Sequence, residues 1–332
     1  MDGESVAMTP GAAPRADSRV FRTSALFVLI GLMVYMGLYW AAERLVYQHA
    51  ERNRFFMIRT APVHDYDFVF LGASRAMPFG FEGVQEALEA WTGARIINLS
   101  MEGAGILPNR LVFDYFRAHH TTRAVVYFVD SFAFYSTEWN EDRLDAEMFR
   151  RAPFDPALVR TLWAHPWARR HLFLYLSGFP KVNDPRKHWE PDRSEAERLR
   201  FDRVYRANPR LDAQRMAYLY PEEVDQALLD RYMAAFADLA RTLTDEGIPL
   251  IVIKLPVPQR VHNLLRNEDM FDSRVQQVVD RYGLAYYDFS RVSNDDRYYY
   301  DTDHLNREGV MTFSEEYLVP ILRQYLPGAA AG

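Results

Sequence analysis

Residues 24–42 read SALFVLIGLMVYMGLYWAA, 19 consecutive positions without a charge. A helix rises ~1.5 Å per residue, so this run nearly matches a hydrocarbon core of about 30 Å. It is apolar all round, whereas a helix on the surface of a globular protein carries a polar stripe. A cleaved leader fits poorly: the run is longer than the usual apolar region, and Trp40 stands where a small-residue cleavage site belongs. The expectation is one transmembrane helix at 24–42, with Tyr35, Tyr39 and Trp40 as interfacial aromatics. Residues 1–23, rich in Ala, Pro, Gly and Ser, are expected to form a disordered tail. Residues 43–59 are charged with apolar positions at helical intervals, so a stalk or a helix leading off the membrane is expected, within a juxtamembrane stalk placed at 43–66. Arg15, Arg19 and Arg22 precede the span and Arg44, Arg52, Arg54 and Arg59 follow it, so basic residues alone do not choose an orientation. A short tail before one uncleaved span and a large domain after it place the domain on the extracytoplasmic, periplasmic side of the cytoplasmic membrane.

The rest of the chain alternates. DFVFL (67–71), RIINLS (95–100), AVVYFVD (124–130), PLIVIKLPV (249–257) and AYYDFS (285–290) have the pattern of short buried strands. Helical periodicity appears at Phe81–Trp91, Leu107–His119 and from Asn306 onward. Near-continuous apolar strands separated by helices call for a parallel sheet covered on both faces, an α/β fold. The domain is placed at 67–327. Between about 137 and 225 the rhythm breaks into a Trp-, Arg-, Pro- and Asp-rich segment. It is expected to be a mainly helical insertion over the strand ends, with a solvated surface excursion as the alternative. Trp139, Trp163, Trp167 and Trp189 fall there, as core packing or as a sugar platform.

Apolar residues make up 49% and charged residues 25% of 332 positions, enough for a sizeable core. The net charge of −6 and the lack of a basic run argue against nucleic acid as a partner. No cysteine is present, which removes disulfides, thiolate catalysis and Cys-ligated zinc.

Two stretches carry chemistry. In FLGASRAM, Gly72 permits a sharp turn and Ser74 stands just past the end of the first strand, where open α/β sheets bind ligands. Turn or capping chemistry is the ordinary explanation of such a serine. In DTDHLN, Asp301 precedes His304 by three residues. That spacing can bring the carboxylate onto one imidazole nitrogen and leave the other free to take a proton from a serine. Asp303 is assigned a turn or cap role. The rival for the segment is a divalent cation held by oxygens and one nitrogen; Asp295 and Asp296 supply no recognised ligand spacing. A G-x-S-x-G elbow would mark an α/β-hydrolase, but Ala76 replaces its last glycine. Asn98 is expected to tie loops together, and Asn306 and Gly309 to shape the last helix. The remaining histidines, the His119–His120 pair included, are expected on the surface or in packing. A serine-centred site of this kind needs no metal and no cofactor.

FLGASR with Ser74, NLSMEGAG with Gly103 and DTDHLN with Asp301 and His304 together resemble the SGNH (GDSL-type) hydrolase superfamily. The resemblance is closest to its membrane-anchored branch associated with cell-envelope polysaccharide acylation. It implies a flavodoxin-like three-layer α/β/α sandwich with a parallel sheet. By this resemblance Ser74 is the nucleophile, His304 the base and Asp301 its orienting carboxylate. The backbone N–H groups of Ser74 and Gly103 form the oxyanion hole. Arg75, Asp130 and Ser131 are further candidates for substrate contact. One departure stands out: the family's third block supplies an oxyanion-hole Asn, whereas the matching place here, after VVYFVD, holds Phe132 and its neighbours. Losing such a donor costs roughly 2.7–4 kcal/mol of transition-state stabilisation. The expected function is esterase or O-acyltransferase chemistry on acyl, foremost acetyl, groups of an envelope glycan. The alternatives are an inactive or weak accessory of a multi-span membrane O-acyltransferase, and a lipid esterase or thioesterase. Expected partners are the bilayer, the acylated glycan and that multi-span acyltransferase.

Overall fold

The computed structural model describes residues 18–183, 185–189 and 198–327. Five parallel strands form one sheet in the order β2-β1-β3-β4-β5. They are β1 (Asp65–Gly72), β2 (Ile96–Asn98), β3 (Thr121–Phe128), β4 (Leu250–Lys254) and β5 (Ala285–Asp288). Phe70 of β1 is paired with Asn98 of β2 and with Val126 of β3, and Phe128 of β3 with Ile253 of β4. This is the flavodoxin-like strand order, and its connection reverses direction beside β1 and β3.

Alternation along the strands builds two cores. Val69, Leu71, Val125 and Tyr127 face one side. There they meet α4 (Ile106–Arg117), α10 (Gln226–Asp245) and α11 (Glu268–Tyr282) through residues such as Leu111, Phe236 and Val275. Phe68, Phe70, Val126 and Phe128 face the other side. Their partners are α3 (Val84–Thr92), α12 (Arg307–Phe313) and α13 (Val319–Arg323), through Leu88, Phe313 and Leu322. The period-two pattern of a strand therefore produces three layers.

Helix α1 runs from Ser18 to His49, and it is long and apolar enough to cross a membrane. It is longer than the apolar run at both ends, because no proline interrupts it. Ser18–Thr23, expected in a disordered tail, are thus helical; residues 1–17 of that tail lie outside the described residues.

The expected stalk needs correction as well. After α1 the chain turns into α2 (Arg54–Thr60), capped by Asn53 and buried through Phe55 and Ile58. Phe55 packs against Tyr115 of α4 at 5.5 Å and stacks on Phe149 at 6.0 Å between ring centroids. The juxtamembrane segment is thus a part of the core rather than a tether outside it.

The described residues of the segment 137–225 are mainly helical. The segment contains α5 (Ala146–Arg150), α6 (Pro156–Ala164), α7 (Leu172–Ser177), α8 (Phe179–Asn183) and α9 (Pro209–Leu219). Residues 184 and 190–197 of it lie outside the described residues. It is no solvated excursion: Trp139, Leu144, Phe149, Leu158, Leu162 and Tyr175 join the core beside β1 and β3. The four tryptophans form no common platform. Trp139 is buried, Trp167 half-buried, Trp163 lies against Arg169, and Trp189 meets His49 of α1. Several of the remaining histidines have partners: His120 Nε2 lies 2.7 Å from the Ile58 carbonyl oxygen, His119 Nε2 2.9 Å from Asp155, and His165 Nε2 2.8 Å from Asp114.

Candidate active site

β1 delivers Ser74. Gly72 closes the strand where a side chain would meet Ala76 and Phe128 at 3.0 Å, so only glycine lets the turn sit this close to β3. The Gly72 N–H donates to Asn109 Oδ1 at 3.0 Å, and Asn109 Nδ2 donates to the Ala104 and Gly105 carbonyls. Ser74 then opens a short 3₁₀ segment, Ser74–Gly80, and is itself buried.

The loop after β5 delivers His304. It is held by Asn306, whose Nδ2 donates to the Arg297 carbonyl at 2.7 Å while its Oδ1 accepts from the Gly309 N–H at 2.9 Å. Asn306 thereby caps α12 and closes the loop at once. Asp301 Oδ1 accepts from the backbone N–H groups of Asp303 at 3.0 Å and His304 at 2.9 Å. Both Asp301 oxygens lie 2.9 Å from His304 Nδ1. His304 Nε2 lies 2.8 Å from Ser74 Oγ. The Tyr300 ring stacks on the imidazole, with centroids 5.4 Å apart.

Burial alone would raise the Asp301 pKa. The imidazole charge and the hydrogen bonds from the ring and the two backbone N–H groups outweigh it and hold the carboxyl down to about 2. An ionised Asp301 keeps the proton on Nδ1, so Nε2 presents its lone pair to the serine hydroxyl.

The structure therefore brings Ser74, His304 and Asp301 together. Gly103 lies in the loop that follows β2. The Met101 N–H donates to the Gly72 carbonyl at 3.1 Å, which ties this loop to the strand end that carries Ser74. Gly103 has φ +58, and a Cβ there would fall 2.8 Å from the Trp139 ring. Phe132, which with its neighbours occupies the place where the resemblance would put an Asn, is buried edge-on against Trp139. The asparagines near the strand ends serve the backbone. Asn98 donates to Ala76 O at 2.8 Å and accepts from the Ser100 N–H at 3.0 Å. Asn140 donates to Ala133 O at 2.8 Å and accepts from the Leu107 N–H at 3.2 Å.

Arg75, Asp130 and Ser131, considered as substrate contacts, are engaged inward. Arg75 Nη1 pairs with Asp130, and Nη2 donates to the carbonyls of Leu255 at 2.8 Å and Pro256 at 2.7 Å. The cluster clamps the carboxyl ends of β1, β3 and β4. Burial raises the Asp130 pKa and the Arg75 charge opposes that rise. Buried charges need such a partner, which is why these residues turn towards each other instead of the cleft. Ser131 Oγ donates to Glu268 and lies 3.0 Å from Tyr220 Oη. Glu268 in turn holds Lys254 Nζ at 2.7 Å.

Asp303, given a turn or cap role from sequence, is buried, and Arg215 Nε of α9 reaches it at 3.2 Å. Its carboxylate stands 3.6 Å from His304 Nδ1. Nothing in the sequence marks Arg215, because it comes from an insertion without a motif. Asn109 does leave a trace, as an amide in an otherwise apolar first turn just after the GAG of 103–105.

Ligand atoms of Asp301, Asp303 and His304 lie within 4.8 Å of one another, close enough to surround a cation. Here their donors are committed elsewhere: both imidazole nitrogens to Asp301 and Ser74, and Asp303 to Arg215. A cation would have to displace these contacts.

No family model matches this sequence, and no curated protein matches it. Among solved structures, a candidate platelet activating factor from Streptococcus pneumonia is similar over 89% of this chain and 99% of its own, at 11% identity and a TM-score of 0.42. A candidate acylhydrolase from Bacteroides fragilis is similar over 81% of this chain and 95% of its own, at 13% identity and a TM-score of 0.39.

Proposed function

We propose that the chain is a membrane-anchored serine esterase or O-acyltransferase working through an acyl-enzyme on Ser74. The observation that carries this is the relay from Asp301 through His304 to Ser74 Oγ, each link at 2.8–2.9 Å. Ser74 attacks an ester carbonyl while His304 Nε2 takes its proton. The resulting oxyanion is received by the backbone N–H groups of Ser74 and Gly103. His304 then returns the proton to the departing alcohol, leaving the acyl group on Ser74. A second hydroxyl, from water or a sugar, reverses the sequence and frees the serine. By its resemblance to the envelope branch, the proposed substrate is an acylated glycan, with acetyl as the acyl group. The setting is the periplasmic face of the cytoplasmic membrane, in the company of a multi-span acyltransferase. A lipid ester or thioester is the other acyl class that α1 would bring within reach.

A second reading has its own support. Phe132 replaces the third-block Asn, Asn98 and Asn140 are committed to the backbone, and Ser74 and His304 are both buried. A domain with a weakened oxyanion hole and a closed nucleophile suits a glycan-holding accessory. A serine-directed phosphonate separates the two readings. An adduct on Ser74 that requires His304 supports the enzyme; no adduct on folded protein supports the accessory. Acyl-chain profiles on model esters then separate acetyl from long-chain specificity.

A further inference from the structure

Helix α1 meets the rest of the protein well before its end. Tyr35 Oη donates to the Ser177 carbonyl at 2.7 Å. Tyr39 lies so close to Gly178 that a Cβ there would fall 2.1 Å from its ring. Glu43 pairs with Lys181 Nζ at 2.6 Å. Positions 35, 39 and 43 share one face of α1, so the chain from α7 into α8 runs alongside that face.

Glu43 is the first charge after the apolar run and marks the edge of the hydrocarbon. Tyr35, expected at the interface as an aromatic, lies eight residues earlier, about 12 Å along the helix axis and so within the hydrocarbon rather than at its edge. Ser177 and Gly178, touching Tyr35 and Tyr39, therefore lie at a depth where lipid chains surround α1.

Their surroundings suit lipid. Phe173, Leu176 and Phe179, spaced by three, are 82%, 44% and 54% exposed. Arg169 and Arg170 precede this stretch, as basic residues flank membrane-embedded segments. Trp163 is exposed beneath the Arg169 guanidinium, 5.1 Å from its ring centroid. Hydrocarbon also demands that backbone groups be satisfied internally. The Gly178 N–H donates to Tyr175 O at 3.2 Å, the Phe179 N–H to Ser177 Oγ at 3.3 Å, and the Ser177 carbonyl accepts from Tyr35. The Gly178 carbonyl accepts from the Lys181 N–H at 2.9 Å.

We propose that Leu172–Phe179 is embedded in the leaflet on the domain's side of the bilayer, as a second membrane contact that enters without spanning. The inference rests on α1 being a membrane span. It assigns the partner of this apolar stripe as lipid chains.

The absence of cysteine makes the test direct. Single Phe173→Cys, Leu176→Cys and Phe179→Cys variants of the full chain are labelled with bimane in phosphatidylcholine–phosphatidylglycerol nanodiscs. Leu32→Cys in α1 and Leu264→Cys on the domain surface are the references. The expected result is loss of most bimane emission at all three sites, as at Leu32, when doxyl-labelled lipid is included, with little loss to aqueous iodide. Leu264 shows the reverse. Iodide quenching at the three sites while Leu32 stays in lipid overturns the inference and leaves the span intact. Protection from both quenchers makes the stripe a protein–protein interface and also overturns it. Iodide quenching at Leu32 removes the span, and the inference with it.

Discussion

His304 Nε2 and Ser74 Oγ lie 2.8 Å apart across 230 residues of sequence. Their meeting depends on β1 and the loop after β5 ending on the same edge of the sheet. Ser74→Ala and His304→Ala should each lower turnover of a short-chain p-nitrophenyl ester by about 10⁴–10⁶-fold. Ser74→Ala should barely change the melting temperature, since it removes one atom, whereas His304→Ala empties a buried ring position stacked on Tyr300 and should lower it. Retained turnover in Ser74→Ala would refute the acyl-enzyme.

Asp301 sets the tautomer of His304, so Asp301→Asn should cost about 10⁴-fold in kcat with little change in KM. The same carboxyl links folding to pH. Its folded value, about 2, is below the ordinary 3.8. Its contribution is therefore complete above 3.8 and is lost as pH falls through the folded value near 2. Wild-type melting temperature should fall more steeply than that of Asp301→Asn over this window. Parallel curves would show that Asp301 carries no such linkage.

The Arg75–Asp130 pair predicts a stability defect rather than a binding defect. Arg75→Met leaves a buried carboxylate without its partner and should cost about 3–5 kcal/mol in urea unfolding. The double variant Arg75→Met with Asp130→Leu should recover most of that loss, since apolar packing often replaces a buried ion pair at little cost. A raised KM with an unchanged unfolding midpoint would return Arg75 to the substrate.

Gly103→Ala probes the loop proposed to stabilise the oxyanion. Its φ of +58 and the Trp139 ring 2.8 Å from a Cβ leave no room for a methyl group. A destabilisation of about 1–3 kcal/mol is expected. If the Gly103 N–H moves with the loop, kcat should fall by about 10²-fold while KM holds. Unchanged kcat in a destabilised variant would separate Gly103 from the oxyanion.

The sheet was legible because near-continuous apolar runs separated by amphipathic stretches have few other solutions. The Asp301–His304 spacing and the turn at Gly72 were legible because they are local. The partners of Asp303 and Arg75 were not legible for the opposite reason. They come from α9, β3 and the segment after β4, distant in sequence, and spacing along the chain does not name them. The packing of the segment 43–66 was hidden in the same way. Its periodicity pointed to a stalk or helix, but Phe55 and Ile58 find their core only once α4 and the insertion are in place.

The burial of α2 has a consequence for where chemistry can happen. A flexible tether would let a catalytic head sweep a deep volume and sample substrates at many distances. Here Arg54 Nε donates to the Ser100 carbonyl at 2.7 Å, at the end of β2 and only a few residues from Gly103. With α1 in a bilayer, that bond and the packing of Phe55 fix the altitude of Ser74. Under the proposed function, accessible esters would form a thin sheet parallel to the lipid surface, and a substrate would be selected by how far it stands from the membrane before any side chain touches it.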